Sequence, residues 1–131
     1  MKRKMLCLVL IGLLIPCICH GFVIGKVFTG AADVDITVTP TEDFKILGIK
    51  GHLSGAGAAN SLVVTIDHGS GGPYDTVIYT LDMTSVTDFS KTFDDLWCKV
   101  GDKITVAWTN GSTVTYGIEV QYETHHGEMA R

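Results

Sequence analysis

Beyond its N-terminal segment the chain alternates apolar and polar positions with a period of two. In "DVDITVT", Val34, Ile36 and Val38 fall on one face while acidic and hydroxyl side chains fall on the other. This is the pattern of a strand with one buried side, and Pro40 ends it. "LGIKGHL" places Leu47, Ile49 and Leu53 on one parity, whereas Phe44 and Ile46 just before them sit on the other. A strand keeps both sets on one face only by carrying an extra residue, so a bulge is predicted near Ile46 or Leu47. After the flexible "GAGAAN", Leu62, Val64 and Ile66 face inward along "SLVVTIDH". The loop "GSGGP" leads into "YDTVIYTLD", where Val77, Tyr79 and Leu81 share a face, and Phe89 and Phe93 bracket a short strand in "DFSKTF". No window beyond the N-terminal segment shows the three-to-four spacing of an amphipathic helix, and β-branched residues abound, so little helix is predicted.

The stretch "GDKITVAWTNGSTVTYGIEVQYE", Gly101 to Glu123, reads as a final hairpin. Ile104, Val106 and Trp108 alternate on its first strand and Val114, Tyr116, Ile118, Val120 and Tyr122 on its second. A two-residue Asn110-Gly111 loop would send these apolar sets to opposite faces, which a single buried face forbids. A three- or five-residue turn instead pairs Trp108 with Val114, Val106 with Tyr116 and Ile104 with Ile118, with Gly111 or a neighbour at positive φ. Asn110-Gly111-Ser112 also matches an N-glycosylation acceptor, although turn chemistry accounts for Asn-Gly without a glycan.

Seven or eight short strands divided by Gly, Asp, Asn and Ser turns predict an all-β fold. The expected architecture is two packed antiparallel sheets, a β-sandwich of jelly-roll type, over residues 22–123, followed by a polar tail at 124–131. The N-terminus is of another kind. Lys2, Arg3 and Lys4 precede an uncharged apolar run from Met5 to Cys19, shorter than the roughly 20 residues a spanning helix needs. Cys19 and Gly21 put small side chains where signal cleavage is read, so residues 1–21 are predicted to be a signal peptide, or else a retained apolar arm. Processing would leave no stable membrane span and a secreted, extracellular or virion location.

Removal of residues 1–21 leaves enough chain for one domain and takes away three basic residues, moving the net charge from −4 to −7. A chain this acidic, without a basic cluster, lacks the counterion-release term that drives nucleic-acid binding, which excludes that partner class. Three of the four cysteines also fall in the signal. Cys98 alone remains, read as a small core hydrophobe between Leu96 and Val100 rather than a reactive thiol.

Candidate chemistry is sparse. The loop "DHGSGGPYD" sets Asp67, His68, Ser70 and Asp75 among glycines, and hard carboxylate oxygens make Asp67 and Asp75 weak calcium candidates. Their spacing fits no calcium motif, and a solvated loop explains them. His52, His68, His125 and His126 lack zinc-site spacing, so no metal or cofactor is expected. Asp94 and Asp95 point apart in extended chain and no serine sits in a nucleophile elbow, so no enzyme is expected, with a hydrolase the distant alternative. Trp97 is the strongest contact candidate. With Leu96, Cys98 and Val100 facing the core it faces out, a platform for a sugar ring or a partner subunit. A bend would bury it instead, the commoner fate of a large aromatic. Tyr74, beside the Gly-Pro loop, is a second candidate of the same kind.

From about Phe44 to Glu123, in "YDTVIYTLDM" with its following "TD", then "GDKITVAW", then "TYGIEVQYE", the chain resembles a group of small, mostly uncharacterised all-β proteins. These are encoded among the structural genes of tailed phages and prophages. The shared features are strand and turn patterns that carry no site, and the export-like N-terminus is where this chain departs from the group. Together with the fold, the resemblance implies a non-enzymatic structural subunit repeated in a virion or extracellular assembly, with copies of itself or other structural subunits as partners. The alternative, from Trp97 and Tyr74, is a secreted carbohydrate-binding module with a glycan as partner.

Overall fold

The computed structural model describes residues 21–125; the expected signal or arm up to residue 20 and the tail beyond His125 lie outside the described residues. The alternation in the sequence becomes eight strands: β1 Phe22–Gly30, β2 Val34–Val38, β3 Asp43–Leu53, β4 Ser61–Asp67, β5 Thr76–Asp82, β6 Asp88–Cys98, β7 Lys103–Trp108 and β8 Tyr116–His125. They form two four-stranded sheets, β1-β8-β3-β6 and β2-β7-β4-β5, and every neighbouring pair is antiparallel. Among the described residues the one helical element is a 3₁₀ turn, Gly72–Tyr74. The protein is an all-β sandwich.

Period two explains the layering. β2, β4 and β7 bury alternate residues against β3 and β8, and the two inner faces merge into one cluster that includes Val34, Val64, Val106, Phe44, Ile118 and Val120. Each such side chain contributes about 1.5–3 kcal/mol by leaving water. Phe44 and Tyr122 meet edge to face at 6.0 Å inside it. Cys98, also inward and 2% exposed, is a free thiol, so within the described residues stability rests on non-covalent contacts.

The predicted final hairpin does not form. β7 pairs with β2 and β4 whereas β8 pairs with β1 and β3, so these consecutive strands lie in opposite sheets. The parity rule that demanded an odd turn holds only for strands sharing a sheet; placed in facing sheets, each apolar set points at the other across the core. The connection runs over residues 109–115, and its positive φ is at Thr113 (52°) rather than Gly111. Asn110, within it, is only 3% exposed. Its Nδ2 donates to the carbonyl oxygens of Val114 (2.8 Å), Ala31 (3.1 Å) and Ala32 (3.3 Å), and its backbone N–H donates to Asp33 Oδ1 (2.8 Å). Asn110 therefore staples the β1–β2 turn to the β7–β8 crossover, and in the folded chain its amide nitrogen is not presented to a glycan.

The bulge in β3 is where the sequence placed it: the register shifts between Ile46 and Gly48 against both β6 and β8. Opposite Leu47, β6 inserts Phe93, Asp94 and Asp95, the last at φ 51°, so Phe89 and Phe93 belong to one long irregular strand rather than a short one. A second irregularity has no counterpart in the alternation. Val64 pairs with Tyr79 but Thr65 pairs with Val77, leaving Ile78 as the extra residue. Val77 consequently turns outward, 57% exposed, instead of sharing the inner face with Tyr79 and Leu81. β8 continues through His125, with Thr124 buried, past the expected boundary at Glu123.

Both outermost strands of the first sheet carry an inward lysine. Lys26 of β1 stands opposite buried Val120, and Lys91 of β6 opposite buried Ile49. The Lys91 ammonium lies 5.9 Å from the ring centroids of both Tyr79 and Phe93, spanning the open side between β5 and β6. A charge directed inward from an edge strand discourages another strand from extending the sheet.

Replacing Asn110 with alanine removes a side chain whose amide satisfies three carbonyls, and stability should fall by about 2–3 kcal/mol. Denaturant unfolding followed by tryptophan fluorescence measures this; a loss under about 0.5 kcal/mol would show that the staple carries no weight.

Candidate functional site

Two depressions among the described residues bear on the candidate side chains. The first, about 600 Å³, lies on the outer face of the β1-β8-β3-β6 sheet. Its floor opens at Gly117, where the lack of a side chain leaves empty space. Its walls are cross-strand ion pairs set by register: Lys50 Nζ to Glu119 Oε2 at 2.9 Å and His52 Nδ1 to Asp88 Oδ1 at 2.6 Å. Hydrogen bonds from Lys50 and then Gln121 hold the Glu119 carboxyl below the usual range, and His52 does the same for Asp88. Each charged group lining this face already has an opposite partner, which fits a solvated sheet surface.

The second depression, about 810 Å³, lies where the β4–β5 loop, the end of β6 and the β6–β7 turn meet. Trp97 stands opposite Lys45 on the outer face and is 40% exposed, so the expectation of a bend that buries the indole is overturned. The Lys45 ammonium lies 5.5 Å from its ring centroid, and the His125 ring packs edge-on at 4.7 Å. Cys98, next along β6, faces inward as expected. Val100 does not: β6 ends at Cys98, the turn reverses through Gly101 at φ 99°, and Val100 is left 60% exposed. Tyr74, on the 3₁₀ turn that Pro73 favours at its start, is 65% exposed. Tyr74 and Trp97, distant in sequence, thus line one depression together with His68, Ser70, Val100 and Asp102.

Three aspartates hold its walls. Asp43 Oδ1 accepts from the Val100 N–H (2.8 Å) and its Oδ2 from Lys99 Nζ (3.1 Å). Asp102 Oδ2 accepts from the Lys99 N–H (3.0 Å), while its Oδ1 lies 3.3 Å from His68 Nδ1, joining the two loops. Asp75 Oδ1 accepts from the His68 N–H (3.2 Å). The other calcium candidate, Asp67, faces Lys103 at 3.8 Å. The two candidates serve separate loop contacts, and among the described residues no three His, Cys, Asp or Glu side chains converge on one point. His126 lies outside the described residues. The Cys98 thiol is pushed up to about 12 by burial, with the Asp102 carboxylate adding to the shift.

His68, Val100, Asp43 and Asp102 were not paired with Trp97 in the sequence reading. The reach of Asp43 to the turn after β6 spans 57 positions of the chain and leaves no trace in spacing. No protein-family model matches this chain, and no curated protein matches it.

The Val100 N–H, followed by Lys99, holds the Asp43 carboxyl below its ordinary value of 3.8. A carboxyl depressed on folding contributes fully above its unfolded value, and the contribution is lost as pH falls through the lower folded value. The Val100 amide proton resonance should therefore show a titration step with a midpoint below 3.8, absent in Asp43→Asn. A midpoint at or above 3.8 would contradict this hold on the turn.

Proposed function

We propose that this chain is a non-enzymatic interaction module, a jelly-roll β-sandwich that serves as a repeated subunit of a virion or extracellular assembly. The strand order supports the jelly-roll reading. In β1-β8-β3-β6 and β2-β7-β4-β5, strands from the two ends of the chain interleave in each sheet, as two Greek keys wound together would require. The resemblance to proteins from phage structural genes points the same way, while the N-terminal segment, where the chain departs from that group, supports an exported location. The thiol of Cys98, buried and raised in pKa, has the reverse of an activated nucleophile's character.

The observation that carries the assembly reading is β1. Phe22, Val23 and Val27 are each 65% exposed on this one edge strand, with Val23 and Val27 on its outer face beside Glu123 and Glu119. Single exposed apolar residues are ordinary, but Val23 and Val27, both projecting from the outer face of this edge strand, offer an apolar contact of the kind that meets a partner. Inward-facing Lys26 opposes open-ended strand addition, so contact through the outer side chains of β1, copy against copy, is favoured over a growing sheet.

Light scattering at micromolar concentration tests the reading. The protein should run as a defined oligomer, and the double substitution Val23→Thr, Val27→Thr should shift it toward monomer without changing its thermal midpoint by more than a few degrees. A stable monomer before any substitution would end the proposal.

A further inference from the structure

We infer that the depression between Tyr74 and Trp97 is a binding site for a neutral glycan, a property beyond the assembly role and independent of it. Seven large apolar side chains are exposed among the described residues, and three of them, Tyr74, Trp97 and Val100, line this one hollow. None of the three packs the core. Trp97 is contacted by Lys45 and His125 and still keeps 40% of its surface exposed.

The charges in the hollow are spent on one another. Lys99 is held by Asp43, and His68 by Asp102. What remains for a ligand is aromatic surface, the Ser70 hydroxyl, the second ring nitrogen of His68 and backbone polar groups around Gly101. Gly101 adopts positive φ, 99°, with nothing within 4 Å of where a side chain would stand, so a ligand can approach the backbone there. A charged ligand would have to compete with Asp43 for Lys99, or with His68 for Asp102. A wholly apolar one would strip water from the hydroxyl, the imidazole and the exposed peptide groups without replacing their hydrogen bonds. A pyranose ring answers both conditions, since it stacks its C–H face on an aromatic plane and turns its hydroxyls to polar groups. The volume lies within the roughly 300–1,000 Å³ typical of small-ligand clefts. The walls are set beforehand by Asp43, Asp75 and Asp102, so little ordering is left to occur on binding.

A second tryptophan makes the site readable. Trp108 is buried at 3% exposure, so a ligand-induced change in tryptophan emission reports Trp97. The protein is screened against an array of neutral oligosaccharides, and hits are titrated in solution by fluorescence. At least one neutral glycan should bind with a shift in emission. Tyr74→Ala and Trp97→Ala should each weaken it by about tenfold or more, Trp97→Phe should recover part of the loss, and Val77→Thr, exposed elsewhere, should leave it unchanged. Circular dichroism melting of each variant confirms folding, and Tyr74, being far from the core, serves as the test if Trp97→Ala unfolds. Absence of binding across the array, or binding that survives both alanine substitutions, would overturn the inference. So would conversion of an oligomer to monomer by Tyr74→Ala, because the hollow would then be a seat for a second copy. Failure of the assembly reading is seen separately, in the light scattering of the unsubstituted protein.

Discussion

Everything in this molecule follows from two apolar sheet faces that must be closed against each other. No disulfide helps within the described residues, where Cys98 is a free core thiol. The inner rows of β2, β4 and β7 on one side and of β3 and β8 on the other supply the burial that offsets chain entropy. That requirement decides the connectivity at the C-terminal end. β7 and β8 each have one strongly apolar row, and a crossover lets both rows enter the same core from opposite layers. Asn110, buried at the crossover, satisfies the carbonyls that such a tight passage exposes.

Closing the faces leaves the edges, ends and outer faces as the surface open to contact. Where the sandwich departs from regular pairing, side chains are turned out of the core. The bulge at Ile78 exposes Val77, and the reversal after Cys98 exposes Val100 beside the already outward Trp97. Asp43 and Asp102 hold the reversal after Cys98 through the backbone N–H groups of Val100 and Lys99. The inward lysines of β1 and β6 set a further limit, since a sheet edge blocked in this way can still meet neighbours through its outer side chains.

Much of the layering was legible in the sequence because period two is a one-dimensional signal. The buried rows Val34, Ile36, Val38 and Leu62, Val64, Ile66 were read directly, and the parity switch before Leu47 located the β3 bulge. The partner of each strand was less legible, because alternation records which face is wet and says nothing about which sheet the strand joins. The β7–β8 hairpin failed for that reason. The bulge at Ile78 was hidden because Val77, Ile78 and Tyr79 are all apolar and any parity fits. Of the site, Trp97 and Tyr74 were visible as residue types near turns. Their meeting in one hollow depends on Asp43, Asp75 and Asp102 folding three segments together, which no spacing rule encodes.

The proposed role places the work of the protein on its exterior, with copies meeting through the outer face of β1 and the hollow at the sandwich end left free for a ligand. Methyl resonances of Val23 and Val27, followed as a function of protein concentration, test this most directly. They should move together as association proceeds, while the Val77 methyls and the Tyr74 ring stay fixed. Shifts confined to Tyr74, Trp97 or Val77, or no shift at Val23 and Val27 across the association range, would contradict the account.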